Sequence, residues 1–285
     1  MVVEFPETYI VLDALDECDD RGKTLDIIWR LESLKSKNLH ILVASRKEAD
    51  IERSIMSFLS AGLCVDLQAA PVDEDIRSYV SYRWSNDKNL ERWKGKPEIQ
   101  AEVEAALFKR SNGMFRWTAC QLDALGSCLT RAKLRKALQN LPPTLAETYE
   151  RILVSIGPNA DYAQQILRWL TFSKEPLSTE QIAEVVAIDV DNGGVFDEDG
   201  ILESPNDVLT ICSSLVAITK PRRNRRIVSL AHYSVQEYLL SIPMGAPSPI
   251  GSYRIESSET NAFIAQGCLV YLLRFQDPEK LLTEK

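Results

Sequence analysis

The sequence predicts an α/β plus α fold: a partial parallel sheet of about three strands, followed by a helical domain and a winged-helix domain. Three observations predict this order. Short apolar runs alternate with amphipathic segments over roughly the first 70 residues, and helical spacing continues for about 90 more. Farther along, helices precede two short apolar runs that flank a basic turn, which is typical of a winged helix.

The first predicted strand is the apolar run 9–12, and several acids follow it. A short run of this kind predicts a strand buried on both faces, as in parallel sheets. Ligands of open α/β sheets bind at the carboxyl ends of the strands, so Asp13 is placed to hold a hydrated Mg²⁺, and Asp16 or Glu17 to orient or deprotonate a water. A solvated acidic loop after a buried strand explains the same residues equally well.

Two helices and two further strands complete the predicted α/β region. They alternate as a helix over 24–34, a strand over 39–44, a helix over 50–59 and a short strand over 63–67. Leu25, Ile28 and Trp29 form the apolar face of the first of these helices. The strand over 39–44 ends in Ser45 and Arg46, which again places polar groups at the carboxyl end of a strand.

A series of helices is predicted beyond residue 71. The segment 85–97 reads as a polar loop between two of them, because it contains a Gly and a Pro. The run 141–143, Leu-Pro-Pro, ends another helix, and Thr144 with Glu147 predicts a capping box for the next one.

The next segment of the sequence predicts the series of elements that is typical of a winged helix. Ser178 and Gln181 predict a capped helix, and the runs 215–219 and 227–231 predict a β-hairpin. Ser234, with an acid three residues later, is the predicted cap of the next helix. His232 lies just before that cap, near the positive end of a helix, where an anion is favoured. A purely structural histidine explains the same position.

The charge balance excludes several function classes. A net charge of −8 and a pI near 5.1 argue against nonspecific binding to nucleic acid or to anionic membranes. The basic wing turn 220–226 is compatible with DNA contact or a nuclear localisation signal, but solvated charge at a hairpin tip is favoured. We therefore expect neither nucleic acid nor a membrane as a partner.

Cysteine usage and the N-terminus predict a cytoplasmic protein. Six cysteines without a C-x-x-C pair, and histidines only at His40 and His232, fit reduced, mostly buried thiols better than a zinc site or disulfides. The first residues lack the basic segment of a signal peptide, and no apolar run is long enough to span a membrane.

One motif in the sequence imitates a phosphate-binding loop. The run 22–24, Gly-Lys-Thr, matches the end of G-x-x-x-x-G-K-[ST], but Glu17 occupies the position of the first glycine. The surrounding acids would place negative charge where backbone N–H groups must hold a triphosphate. A solvated helix start is therefore the better interpretation.

Five motifs carry a resemblance to a known family. In chain order they are YIVLDALDEC, HILVASR, GMFRW, LPPTLAETYERIL and LAHYSVQEYL. Together they resemble the NACHT module of fungal NLR-like STAND P-loop NTPases, many of which carry ankyrin or WD repeats downstream. The resemblance implies a switch in which ADP, held between the NTPase, helical and winged-helix domains, keeps the protein closed. Exchange for ATP opens it for self-assembly, in the service of immunity or non-self recognition.

The resemblance also implies roles for individual residues. Asp13 matches the Walker B acid that binds Mg²⁺, and Asp16 and Glu17 match the acids tied to hydrolysis. Arg46 matches the sensor that reaches the γ-phosphate, and His232 matches the winged-helix histidine that contacts the ADP β-phosphate. Some members of the family place a proline near the adenine, whereas the matching stretch 113–115 here is Gly-Met-Phe, so the adenine contact is unassigned.

The resemblance begins at Walker B, and the family's Walker A loop has no counterpart. We therefore expect the chain to correspond to the C-terminal part of a NACHT module that alone binds ATP/ADP with Mg²⁺ weakly, hydrolyses none and is not itself an enzyme. A first strand without its neighbours predicts self-association, or association with other NACHT chains. The alternative is a nucleotide-free scaffold of helical and winged-helix domains for protein interactions.

These interpretations define the predicted domains. They are the C-terminal part of the NTPase α/β core at 1–72, a helical domain at 73–160, a winged helix at 161–243, a linker at 244–261 and the start of a further helical element at 262–285.

Overall fold

The structure of this chain is a computed structural model that describes residues 6–18, 20–59, 63–65, 72–191, 193–219 and 225–276. The chain divides into two compact units, Met1–Ala70 and Pro71–Lys285. The first unit contains strands β1 (Thr8–Leu12) and β2 (Leu39–Val43) and helices α1 (Arg21–Ser33) and α2 (Ala49–Met56). The α/β plus α class is therefore confirmed.

The sheet of the first unit consists of β1 and β2, paired in parallel from Thr8 opposite Leu39 to Leu12 opposite Val43. Its core contains four buried apolar residues, Leu15, Leu25, Ile28 and Ile51. Leu12 and Val43, on the core-facing side of the two strands, pack against this cluster.

The opposite face of this sheet is open. Tyr9 and Val11 are 71% and 66% exposed, and Leu42 is exposed beside them. The prediction of a strand buried on both faces was therefore wrong, because in the described residues the core covers only alternate side chains of each strand. Trp29, predicted to face the core, is also exposed.

The predicted third strand is not present in the residues that the structure describes. Residues 63–65 form no strand, and residues 66 and 67 lie outside the described part of the chain. The parallel sheet accordingly has two described strands instead of the predicted three.

The second unit begins with helices α3 (Val72–Asn86), α4 (Pro97–Ser111), α5 (Phe115–Gly126) and α6 (Arg131–Gln139). They enclose an apolar cluster that contains Trp117, whose indole Nε1 donates to the carbonyl of Pro142 at 2.9 Å. The predicted polar loop 85–97 differs from expectation, because it includes a 3₁₀ segment, Lys88–Trp93, that buries Leu90 and Trp93 in this cluster.

Helix α7 (Leu145–Ile156) is shared by two cores. Its first residue, Leu145, packs against the cluster around Trp117 and also against a second cluster that contains Tyr149 and Leu153. Of the predicted capping box, the N-cap bond is confirmed, since the Thr144 hydroxyl accepts from the backbone N–H of Glu147 at 3.1 Å.

The second cluster belongs to the winged-helix region. Its elements are α8 (Ala160–Phe172), β3 (Leu177–Ser178), α9 (Thr179–Val185), β4 (Ile188–Asp189), β5 (Val195–Phe196), α10 (Asp207–Cys212), β6 (Val216–Thr219), β7 (Ile227–Leu230) and α11 (Tyr233–Ser241). The predicted hairpin is confirmed as β6 and β7, and β3 extends it to a three-stranded antiparallel sheet. The capping box of Ser178 and Gln181 is also confirmed. The wing residues 220–224 lie outside the described part.

The predicted linker 244–261 contains residues that pack into the second cluster. Tyr253 and Ile255 are buried there, so at least this part of the segment is core and not linker. Helix α12 (Ser257–Leu273) follows and packs closely on α8: a Cβ at Gly267 would lie 2.9 Å from Cζ2 of Trp169. The other predicted domain boundaries stay predictions.

Two global features were predicted from composition. None of the helices in the described part of the chain combines the length and apolarity that a membrane crossing requires. All six cysteines are free thiols, but only Cys120 and Cys212 are buried, so the expectation of mostly buried thiols was wrong.

Candidate functional site

The carboxyl ends of β1 and β2 meet at one edge of the parallel pair. Backbone hydrogen bonds continue past both strands, from Ala44 N–H to Leu12 O at 2.8 Å and from Leu15 N–H to Ala44 O at 3.0 Å. The acidic segment after β1 therefore lies beside Ser45 and Arg46. The structure thus brings together four of the five predicted site residues, and His232 lies in the second unit.

Asp16 is buried and anchors the segment that follows β2. Its Oδ1 accepts from the backbone N–H of Arg46 at 2.9 Å and from the Ser45 hydroxyl at 3.3 Å. Its Oδ2 lies 3.4 Å from Nε of Arg46. Burial opposes the charged form, but these hydrogen bonds and the charge of Arg46 outweigh it and hold the pKa of Asp16 below its ordinary value.

These contacts favour a positioning role for Asp16. A carboxylate engaged on both oxygens is poorly placed to accept a proton from water, whereas it fixes the backbone and guanidinium of Arg46 at the strand edge. The prediction that Asp16 takes part in hydrolysis stays untested.

Asp13 and Glu17 are exposed at the same edge. The backbone N–H of Ala14 donates to Oδ1 of Asp13 at 3.0 Å, and Ala14 has a φ of 53°, in the left-handed region. The chain therefore turns sharply after β1. No group of three or more His, Cys, Asp or Glu side chains with metal-binding geometry occurs among the described residues. A single carboxylate fits Mg²⁺ nonetheless, since this ion is held by one or two carboxylates together with phosphate oxygens and waters.

The start of α1 agrees with a solvated helix terminus. Asp20 is its N-cap and accepts from the backbone N–H of Lys23 at 3.1 Å. The Lys23 ammonium lies 2.6 Å from the Asp20 carboxylate, so it pairs with the cap of its own helix. These contacts support the rejection of a phosphate-binding loop at residues 17–24.

His232 caps helix α11. Its Nδ1 accepts from the backbone N–H of Ser234 at 3.1 Å, and it lies 2.7 Å from the Ser234 hydroxyl. The predicted cap, Ser234, is instead the second residue of the helix. The expectation that His232 lies at the N-terminal end of a helix is confirmed, and it lies closer to that end than predicted.

The Ser234 hydroxyl connects His232 to two residues that the sequence did not reveal as part of a site. It lies 2.7 Å from the hydroxyl of Tyr149, to which Nε of Arg116 donates at 3.3 Å. Burial raises the pKa of Tyr149, so its hydroxyl stays protonated at neutral pH. The side chain of Tyr149 lies on the buried face of α7, and only its contact with Ser234 identifies it as part of the site.

Two family models match the chain. Residues 149–247 match the winged helix domain of GPI inositol-deacylase, and residues 2–46 match the N-terminal region of nephrocystin 3. The first range contains the three-stranded sheet, α11 and His232. The second contains β1, β2 and Arg46. The winged-helix interpretation is thus confirmed.

Two fungal proteins are similar over longer stretches. The azaphilone pigments biosynthesis cluster protein L of Monascus ruber is 39% identical over 169 residues, which are 58% of this chain and 36% of that protein. The vegetative incompatibility protein HET-E-1 of Podospora anserina is 28% identical over 238 residues, which are 82% of this chain and 16% of that protein. No solved structure matches the chain significantly.

These findings confirm the resemblance drawn from the five motifs. The chain is NACHT-like, of the kind found in fungal NLR-like proteins, and it carries a winged helix that is associated with NACHT modules. It spans about a third and about a sixth of the lengths of the two curated relatives.

Proposed function

We propose that this chain is part of a nucleotide-controlled switch of the STAND type that serves fungal immunity or non-self recognition. The observation that carries the proposal is the meeting of Asp13, Asp16 and Arg46 at the carboxyl edge of a parallel strand pair. This is where open α/β sheets bind their ligands. The similarity to a vegetative incompatibility protein supports the biological setting.

The proposed ligand is ATP or ADP with Mg²⁺. Asp13 holds the magnesium ion, which neutralises phosphate charge when bound, and Glu17 orients a water. Arg46, oriented by Asp16, faces the terminal phosphate. For His232, in the winged helix, the proposed role is to donate a hydrogen bond to a phosphate of ADP.

We expect the 285-residue chain to bind nucleotide weakly and to hydrolyse none. Its sequence contains no G-x-x-x-x-G-K-[ST] motif, and acids surround the run 22–24. The phosphates would therefore lack most of the backbone donors that hold them in P-loop proteins.

A titration with a fluorescent ADP analogue, with and without Mg²⁺, tests the proposal on the full chain. His232→Ala should weaken the affinity about tenfold, the value of one hydrogen bond to a charged group. The matched control is His40→Ala, because His40 lies near the start of β2, away from the strand tips, and pairs there with Glu7. Absence of binding at millimolar analogue, or equal loss in both variants, would contradict a nucleotide role for His232.

A nucleotide-free interaction scaffold is the second candidate. The observation that favours it is a row of exposed leucines on α12, Leu269, Leu272 and Leu273, together with the open face of the β1–β2 sheet. The proposed partner is a second copy of this chain or another NACHT-like chain. Light scattering should show concentration-dependent dimers that Leu269→Glu with Leu273→Glu abolishes, and a monomer at all concentrations would contradict it.

A further inference from the structure

A continuous hydrogen-bond network leads from α5 through α7 to the cap of α11. It consists of Arg116, Tyr149, Ser234 and His232, and we call it the His232 network. Its links measure 3.3 Å from Arg116 Nε to the Tyr149 hydroxyl, then 2.7 Å to the Ser234 hydroxyl, then 2.7 Å to Nδ1 of His232.

The donors of this network have a fixed direction. The guanidinium of Arg116 can only donate, so the Tyr149 oxygen accepts from it and its proton is directed to Ser234. The backbone N–H of Ser234 can also only donate, and it points to Nδ1 of His232 at 3.1 Å. Nδ1 is therefore an acceptor, and the Ser234 hydroxyl completes the series by donating to it.

An acceptor at Nδ1 determines the other ring nitrogen. A neutral imidazole carries one proton, so His232 is held in the tautomer with its proton on Nε2. In that form the ring offers an N–H donor, which is what an oxygen anion such as a phosphate accepts. The opposite tautomer would present a lone pair to the anion and would lose the cap of α11.

We propose that Tyr149 and Ser234, anchored by Arg116, are positioning residues that hold His232 in the Nε2–H tautomer and thereby prepare it to donate to an anionic ligand. The inference rests on the proposed function for the identity of the anion, a nucleotide phosphate. The tautomer itself does not depend on any ligand.

The surroundings of the network keep it in place. Tyr149 is 1% exposed, and its ring packs against Tyr238 with the ring centroids 5.7 Å apart. Arg116 has a second anchor, since Nη2 donates to the carbonyl of Ser214. Its guanidinium also lies 5.9 Å from the centre of the Tyr149 ring. Packing and hydrogen bonds on α5, α7 and the segment before β6 thus fix the phenol and the guanidinium. The position of the Tyr149 hydroxyl then determines the orientation of the Ser234 hydroxyl.

Because the whole sequence contains only two histidines, the tautomer of His232 can be measured directly. Long-range ¹H–¹⁵N correlation spectra of the full chain report which ring nitrogen carries the proton, and His40→Gln assigns the remaining signals to His232. The wild type should show a pyridine-type Nδ1 and a pyrrole-type Nε2. Tyr149→Phe and Ser234→Ala leave the backbone N–H of residue 234 on Nδ1 but disturb or remove the hydroxyl donor, so they should weaken the preference and show partial averaging of the two tautomers. Ser234→Thr, which keeps the hydroxyl, should retain the wild-type pattern.

The control variant is Tyr238→Phe, which alters a ring in the same cluster but no member of the network. It should leave the spectrum of His232 unchanged. An Nδ1–H tautomer in the wild type overturns the inference without any variant, and so does a wild-type pattern in both Tyr149→Phe and Ser234→Ala. Titration of the same samples with ADP separates the two ideas, because a fixed tautomer without ADP binding contradicts the nucleotide role and leaves the positioning role standing.

Discussion

The two units of this chain are built on different amounts of buried apolar surface. In the described part of the first unit, four buried apolar residues form the core, and one face of the sheet is exposed. In the second, two clusters contain 14 and 19 buried residues among those that the structure describes. Because burial supplies most of the free energy of folding, we expect the second unit to be more stable than the first. The candidate strand-tip site would then lie on the less stable unit.

The largest difference in the free energy of unfolding should appear between the alanine variants of two tryptophans. Trp117→Ala removes a fully buried indole and its bond to Pro142, and it should lower the free energy of unfolding of the second unit by about 3–5 kcal/mol. Trp29→Ala, on a side chain that is 52% exposed, should change that of the first unit by less than about 0.5 kcal/mol. Urea unfolding followed by circular dichroism measures both, and similar losses would refute the contrast.

Neighbouring isoleucines on α1 test the small core. Ile28 is one of its four buried residues, so Ile28→Ala should cost about 2–4 kcal/mol and unfold the first unit while the second stays folded. Ile27 is exposed, and Ile27→Ala should have little effect. Hydrogen exchange should show amides of residues 8–56 losing protection in the first variant alone. Loss of protection in both units would mean that they unfold together.

The close approach of α12 to α8 gives an intermediate effect. Gly267→Ala would bring a methyl group within 2.9 Å of the rigid Trp169 ring, and the helix must shift to relieve the contact. Overpacking of this kind costs roughly 1–3 kcal/mol. A thermal melt should show this loss as a lower melting temperature. Gly95→Ala is not a suitable control, because the positive φ of Gly95 would strain an alanine at that position. The control is Ala262→Ser at an exposed position of the same helix, and it should leave the melting temperature nearly unchanged.

The smallest expected effect concerns Asp16. Asp16→Asn should cost the first unit about 1–2 kcal/mol at pH 7, because a neutral amide oxygen accepts more weakly from the Arg46 N–H than a buried carboxylate does. The lost ion pair adds little, because the Arg46 side chain is half exposed and the pair is screened. Since the pKa of Asp16 is lowered on folding, its contribution is present above the unfolded-state pKa, near 4, and disappears as the pH falls through the lower folded-state value.

The wild type should therefore lose stability below about pH 4, and the Asn variant should lose less over the same range. Asp13→Asn, at an exposed neighbour, is the matched control and should change the stability at pH 7 by less than Asp16→Asn does. An acid profile that is the same in wild type and Asp16→Asn would contradict the anchoring role.

Local patterns predicted much of this architecture. The strand tips, the β6–β7 hairpin and the capping box at Ser178 rest on periodicity and on residue preferences a few positions apart. The segment 85–97 was misread because its Gly and Pro indicated a loop, although Leu90 and Trp93 stand three residues apart, as 3₁₀ geometry allows. The sequence pattern places the N-cap of α11 at Ser234 and not at His232, because serine is a frequent N-cap residue and histidine is not.

Tertiary contacts limited the prediction of the site. Tyr149 and Ser234 are 85 positions apart, and neither residue's type reveals the contact. Asp16 reads as a hydrolytic acid in the motif, yet its burial and its bond to Arg46 depend on how two strands end side by side. The exposed face of β1 was missed because an apolar run alone does not show which neighbours cover it.

The position of helix α7 between two cores limits where recombination can join a winged helix to a helical region. The match to a winged-helix family begins at residue 149, inside α7, whereas Leu145 at the start of the same helix is packed by both clusters. A recombination event that joined the winged helix of one gene to the helical region of another within α7 would combine a Tyr149 from one parent with an Arg116 from the other. A hybrid made from this chain should therefore keep α5 and α7 together with the winged helix, because a breakpoint before residue 115 preserves the His232 network.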